Sequence, residues 1–242
     1  MATSAKLGGK KKEAIITGIP EIDDKLGGGI PLGSLCLIEG HSDAGKSVLC
    51  QHLANGTLMS AQISVAYYTT ENNIRSLVSQ MDSLNMNILD YFLADRMRIF
   101  PLTFRSGLPH GHKPFLVLTH HFSNLPQEFK LIIIDSITLL VAHSEPVAII
   151  DFFSRCKSLC DQGKTIIVVA HSYAFEEDIL SRTRSLCDAR FKMRLEQVGD
   201  SMIKLMEVLK VRGADRPTGD VVSFNIEPKL GMRIIPLAKA RV

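Results

Sequence analysis

Gly40-His41-Ser42-Asp43-Ala44-Gly45-Lys46-Ser47 is the stretch from which the fold can be read. It satisfies the spacing G-x-x-x-x-G-K-[ST], and its flanks supply the context that makes such a match informative. Leu35 to Glu39 is a compact apolar run of strand length, and Ser47 to Ser60 repeats apolar residues at helical spacing. Strand, glycine-rich loop and helix therefore follow in the order needed to cradle phosphate. The glycines let backbone N–H groups converge on phosphate oxygens at the helix N-terminus. Lys46 neutralises the β and γ phosphates, the Ser47 hydroxyl is a magnesium ligand, and Val48 completes the binding segment. ATP with magnesium is the expected ligand pair.

The same alternation extends outward on both sides. Before the loop, Gly18, Pro20, the Gly27-Gly28-Gly29 run, Pro31 and Gly33 punctuate the chain, leaving room for one short helix near Glu21 to Leu26. After it come a strand at Val65 to Thr69, a helix carrying Ile74, Leu77, Val78 and Met81, and a strand at Met97 to Leu102. A helix from Phe115 to Asn124 leads to the strand Leu131 to Ile134, and a helix from Val147 to Cys160 leads to the strand Thr165 to Ala170. Apolar strands separated by helices predict a doubly wound, mostly parallel sheet covered on both faces. Past Asp188, turns at Gly199-Asp200 and Leu230-Gly231 predict antiparallel hairpins appended to it. No composition break calls for a second domain, so residues 13–242 are read as one domain behind a basic, mobile tail of residues 1–12.

Further candidate residues fall at the ends of these strands, where ligands bind in open α/β sheets. Asp135 closes the buried run Leu131-Ile132-Ile133-Ile134 and is expected to hold magnesium through water. Glu71 follows the next strand and has two readings: a base that orients the attacking water, or the dipole-favoured start of the next helix. His171 and Ser172 end another strand, as γ-phosphate sensors or as a helix cap. Lys210 and Arg212, with one residue between them on a strand, project to one face and would reach the triphosphate of a neighbouring subunit. His110, His112, His120 and His121 have no cysteine or carboxylate at metal spacing and read as solvated.

Composition narrows the classes. The 242 residues are 45% hydrophobic and 22% charged, the balance of a globular protein. The formal charge of +3 includes Lys6, Lys10, Lys11 and Lys12, so the body is near neutral, which argues against a broad nucleic-acid face. Five cysteines without a C-x-x-C pair suggest a reducing compartment and small buried apolar side chains. Cys156 and Cys160, four apart on a helix, have no histidine at a fitting spacing. No apolar run approaches the length of a membrane span or a signal core, so a cytoplasmic location is expected, with any membrane contact indirect.

Taken together, Thr17-Gly18-Ile19, Leu26-Gly27-Gly28-Gly29-Ile30-Pro31-Leu32-Gly33, the Gly40 to Ser47 loop, Asp135-Ser136-Ile137-Thr138 and Lys210-Val211-Arg212-Gly213 resemble KaiC-like ATPases of the RecA superfamily. The resemblance covers about residues 14 to 240 and implies a RecA-like fold. A single such domain, ending in Ile235-Pro236-Leu237, resembles the archaellum-motor branch of that family, which implies an archaeal source. It also implies a homo-oligomeric, hexameric ring beneath the membrane platform protein of the archaellum, contacting the motor ATPase FlaI. Members of that branch are thought to hydrolyse ATP feebly or not at all. Where relatives place two adjacent carboxylates this chain has Glu71 and Asn72, a departure that fits weak turnover.

Two other classes compete. A KaiC-like signalling autokinase shares every motif above. A RecA- or RadA-type DNA-dependent ATPase would bind DNA through basic loops after the Asp135 and Thr165 strands, but those stretches read His143-Ser144-Glu145-Pro146 and Phe175-Glu176-Glu177-Asp178. Their acidity disfavours a phosphate backbone, so no DNA partner is expected.

Overall fold

The computed structural model describes residues 13–103, 112–199, 201–218 and 221–235. The N-terminal tail, His110, Asp200 and the Pro236-Leu237 pair named above lie outside these residues. A two-stranded antiparallel flap joins Ala14–Ile15 (β1) to Ile30–Pro31 (β2), with Pro20–Lys25 (α1) between them. The main sheet begins with Leu35–Gly40 (β3), followed by Lys46–Ser60 (α2), Ser64–Thr69 (β4), Ile74–Ser83 (α3), Leu89–Leu93 (α4) and Met97–Pro101 (β5). Next are Lys113–Ser123 (α5), Phe129–Asp135 (β6), Thr138–Ala142 (α6), Pro146–Asp161 (α7), Thr165–His171 (β7) and Glu177–Leu186 (α8). The chain then turns to strands: Ala189–Val198 (β8), Ser201–Val211 (β9), Val221–Glu227 (β10) and Gly231–Ile234 (β11).

The main sheet has nine strands in the order β11-β10-β9-β8-β3-β7-β6-β4-β5. From β8 to β5 every pairing is parallel, and β9, β10 and β11 extend the other edge in antiparallel fashion. This is the expected architecture with one refinement. The turn signals past Asp188 place β8 in a hairpin, yet it also lies parallel beside β3, with Cys36 opposite Ala189 and Gly40 opposite Met193. It thus joins the two halves of the sheet.

Strand alternation divides the core between the two faces. Cys36, Ile38, Val65, Tyr67, Leu131, Ile133, Ile167 and Val169 pack with α2 and α3 on one side. Leu35, Leu37, Ala66, Tyr68, Ile132, Ile134, Ile166 and Val168 pack with α5, α7 and α8 on the other. Being sandwiched on both faces, the central strands carry the continuous apolar runs seen in the sequence. The five cysteines are buried and unpaired, as small core residues would be. Three short helices, α4, α6 and α8, had no counterpart in the sequence reading. Among the described residues, no helix is long and apolar enough to cross a membrane.

Candidate functional site

The loop from Gly40 to Gly45 leaves β3 at its C-terminal end and enters α2 at Lys46. Two glycines are sterically required. A Cβ on Gly40 would lie 1.9 Å from the Met193 carbonyl oxygen of β8, so β8 can run this close only beside a glycine. Gly45 has φ +91°, and a Cβ there would lie 3.1 Å from the Phe224 ring and 3.3 Å from Ile226. The loop is thus clamped between β8 and β10, and the first turn of α2 points its free N–H groups upward.

A cavity of about 540 Å³ opens over this turn. Ser42, Asp43, Gly45, Lys46, Ser47 and Val48 form its floor, and Glu71, Asp135 and His171 stand on its walls. Most of the sequence-predicted phosphate loop and the strand-end residues Glu71, Asp135 and His171 therefore converge on one space. The Lys46 ammonium donates to the carbonyl oxygens of Gly40, at 3.4 Å, and His41. Burial lowers the Lys46 pKa, while the carboxylates of Asp135 and Glu71 oppose that shift.

Asp135 is almost wholly buried and is held from two directions. Ser47 Oγ donates to its Oδ1 at 3.1 Å, and Tyr67 Oη donates to its Oδ2 at 2.7 Å. Burial raises its pKa to about 6, against the opposing effect of these two donors and Lys46. A serine hydroxyl and an ionisable carboxylate in contact at the foot of a phosphate loop form an oxygen-only donor pair suited to magnesium. The residues present fit MgATP: converging N–H groups, one ammonium and two hard oxygen ligands.

Glu71 lies outside helix α3. The helix begins at Ile74, and its N-cap is Asn73, whose side chain accepts from Ser76 N at 2.8 Å. Glu71 and Asn72 are instead held through their backbone N–H groups by Thr69 Oγ1, at 3.3 and 3.0 Å. The helix-start reading of Glu71 therefore fails, and its exposed carboxylate borders the cavity.

His171 and Ser172 part company. Thr138 Oγ1 already accepts from the His171 backbone N–H at 3.0 Å and from Ser136 Oγ at 3.1 Å, so its own proton is available to His171 Nδ1, 3.1 Å away. With Thr138 donating to Nδ1, the ring proton sits on Nε2, which faces Ser42 Oγ at 3.5 Å beside the cavity. Ser172 turns to Glu39 Oε2 at 3.4 Å, where Arg184 and Arg190 also bind. Glu39 is fully buried, and sequence reasoning took it only for a strand end.

Lys210 and Arg212 stay away from the cavity of their own chain. Cys36, at the start of β3, faces Ala189, which faces Val211, so the end of β9 lies at the edge of the sheet opposite the phosphate loop. Lys210 Nζ donates to the Cys187 carbonyl, and Arg212 Nη1 reaches Asp188 Oδ1 at 3.4 Å. Of the histidines that read as solvated, His112, His120 and His121 are all exposed, and His121 in addition meets the Tyr68 hydroxyl and packs edge-on to Phe100. Among the described residues no cluster of histidine, cysteine or carboxylate side chains forms a separate metal site.

A strand-to-loop anion cradle at the C-terminal edge of a parallel sheet, faced by a buried carboxylate, defines a phosphate-loop nucleotide-binding protein of the RecA type. The family model described as "ATPase: KaiC" matches residues 15–239, and the chain belongs to that family. Its relatives include the archaeal flagellar ATP-binding protein FlaH of Sulfolobus acidocaldarius, 29% identical over 230 residues, covering 94% of this chain and 99% of the relative. The FlaH of Methanocaldococcus jannaschii is 31% identical over 221 residues, covering 88% of this chain and 91% of the relative. The crystal structure of flagellar accessory protein FlaH from M. jannaschii superposes with a TM-score of 0.79 at 28% identity, covering 89% of this chain and 95% of that one.

Proposed function

We propose that this chain is an ATP-binding component of the archaellum motor, a cytoplasmic protein that assembles as a ring against the motor ATPase FlaI and the membrane platform. The observation that carries the nucleotide part is the contact of Ser47 with Asp135 beside Lys46 in the lining of one cavity. The motor assignment is supported by similarity over 88% to 94% of the chain to proteins named archaeal flagellar ATP-binding protein.

In this reading the N-terminal amides of α2 and Lys46 bind the phosphates, and Ser47 and Asp135 hold magnesium. The ion would supply positive charge that offsets the charge of the phosphate groups. Among the described residues Glu71 is the one carboxylate besides Asp135 and Asp43 that borders the cavity, and it orients and deprotonates water. Asn72, in place of a second carboxylate, cannot share that proton, so turnover is slow or absent. His171 Nε2–H, facing the cavity, is the γ-phosphate contact.

Lys210 and Arg212 act in trans. They sit at the opposite sheet edge from their own loop, where a head-to-tail neighbour would present its triphosphate. The test is molar mass by light scattering with ATP, with ADP and without nucleotide. ATP should favour the ring over ADP, and the Lys210→Ala, Arg212→Ala double variant should bind ATP yet remain small. A double variant that assembles with ATP as readily as the wild type contradicts the in-trans assignment.

A further inference from the structure

The phosphate-loop motif supplies one cation to the cavity, but the structure brings a second there from a part of the chain with no motif. Lys204 lies on β9, half-buried, and lines the same cavity as Lys46, Ser47 and Asp135. Its placement follows from register. Met193 faces Gly40 on β3 and Met206 on β9, so Lys204 lies two residues beyond the level of the loop. Lys204 also pairs across the sheet with Phe224, whose ring packs against Gly45. Residues directly opposite in a ladder share a face, so Lys204 emerges on the α2 side of the sheet. It is the next residue on that face after the buried row Val208, Met206.

The arginines nearby are already engaged, Arg194 with Glu196 and Glu207 on the opposite face of the β8–β9 ribbon, Arg184 and Arg190 with Glu39, and Lys192 of β8 does not line the cavity. Lys204 has no hydrogen-bond or ion-pair partner among the described residues. A half-buried ammonium without a carboxylate, at the lip of an anion cradle, is positioned for an anionic ligand.

Strand order says which part of that ligand it meets. The sequence of strands is β10-β9-β8-β3-β7-β6, so the loop above β3 stands between Lys204 on β9 and Asp135 on β6, two strands away on each side. Asp135 and Ser47 mark the metal side, and Glu71 stands with them. The other end of a nucleotide held by the loop therefore lies toward Lys204, over Ile226.

We infer that Lys204 is a second phosphate contact of the nucleotide site, supplied in cis by the antiparallel extension and directed at the α-phosphate end of a nucleoside di- or triphosphate. The inference rests on the nucleotide reading above and adds to it a ligand contact on the far side of the loop from the metal. An α-phosphate contact is made equally by ATP and ADP, and it does not depend on magnesium.

The experiment is calorimetric titration of ATP and of ADP, each with magnesium and with chelator, into wild type, Lys204→Met and Lys204→Arg, with thermal melting without nucleotide as the fold control. Lys204→Met should melt like wild type and lose about tenfold in affinity for both nucleotides in both conditions. Lys204→Arg, which keeps the charge, should stay within about threefold. Unchanged affinity in Lys204→Met overturns the inference while leaving the nucleotide reading intact. A loss confined to ATP, or confined to magnesium, also overturns it, because it would move Lys204 to the γ-phosphate or metal side. Failure of the wild type to bind either nucleotide instead overturns the nucleotide reading itself.

Discussion

Ser47 and Asp135, 88 residues apart in sequence, are joined by a hydrogen bond of 3.1 Å that ties the first turn of α2 to the end of β6. Tyr67 closes the other carboxylate oxygen at 2.7 Å from the neighbouring strand. The carboxylate is thereby fixed in place at the metal side of the loop. Asp135→Asn keeps the volume and removes the charge that faces the ion. Affinity for ATP in the presence of magnesium should fall at least tenfold, while affinity in chelator should change by less than about threefold. Calorimetry in the two conditions separates these, and an equal loss in both would remove Asp135 from the metal site.

Glu39 sits fully buried at the foot of the phosphate loop and receives Arg184 through Nε at 2.9 Å and Nη2 at 2.7 Å, with Arg190 at 3.5 Å. Removing the carboxylate takes from Arg190 its ion-pair partner and leaves Arg184 with only the exposed Glu177. Glu39→Ala should destabilise the protein by about 3–5 kcal/mol in denaturant unfolding, as expected when one partner of a buried ion pair is lost. A loss below about 1 kcal/mol would show that Arg184 and Arg190 find other partners.

His52 on α2 latches the last strand, accepting the Met232 backbone N–H at Nε2 over 3.0 Å. Burial lowers its pKa to about 4, below its ordinary 6.5. Between these values the unfolded chain binds the proton and the folded chain does not, so stability rises with pH across this window and is lost as pH falls toward 4. The slope from this one group is at most about 1.4 kcal/mol per pH unit. His52→Gln, which retains an acceptor without titrating, should flatten the stability profile between about pH 4 and 6.5. An unchanged slope in urea melts across that range would contradict the latch.

What the sequence made legible was whatever is local. The phosphate loop is a contiguous run whose spacing is set by backbone geometry, and Asp135 stands directly after four apolar residues that can only be a buried strand. Helix α8 escaped notice because only Ile179, Leu180 and Thr183 are buried, and its first turn is acidic. Strand β8 hid its parallel pairing behind the alternating charges Arg190, Lys192 and Arg194. Glu39 with Arg184, His52 with Met232, and Lys204 with the cavity depend on register between segments as much as 145 and 180 residues apart, which no periodicity reveals. The register slip that sets Arg190 opposite Lys210 but Phe191 opposite Val208 is equally invisible in the chain. It turns Lys210 and Arg212 to the face opposite Lys204, and so separates the in-trans pair from the in-cis lysine.

The central claim is that this chain binds a nucleoside triphosphate through the loop headed by Lys46. Lys46→Ala removes the ammonium while leaving the backbone cradle, Ser47 and Asp135 in place. The most direct measurement is titration of magnesium ATP into wild type and Lys46→Ala by calorimetry, with matched melting curves to show that both are folded. The account predicts saturable binding at one site per chain in the wild type and a loss of at least a hundredfold in the variant. Equal affinity in the two proteins would contradict it.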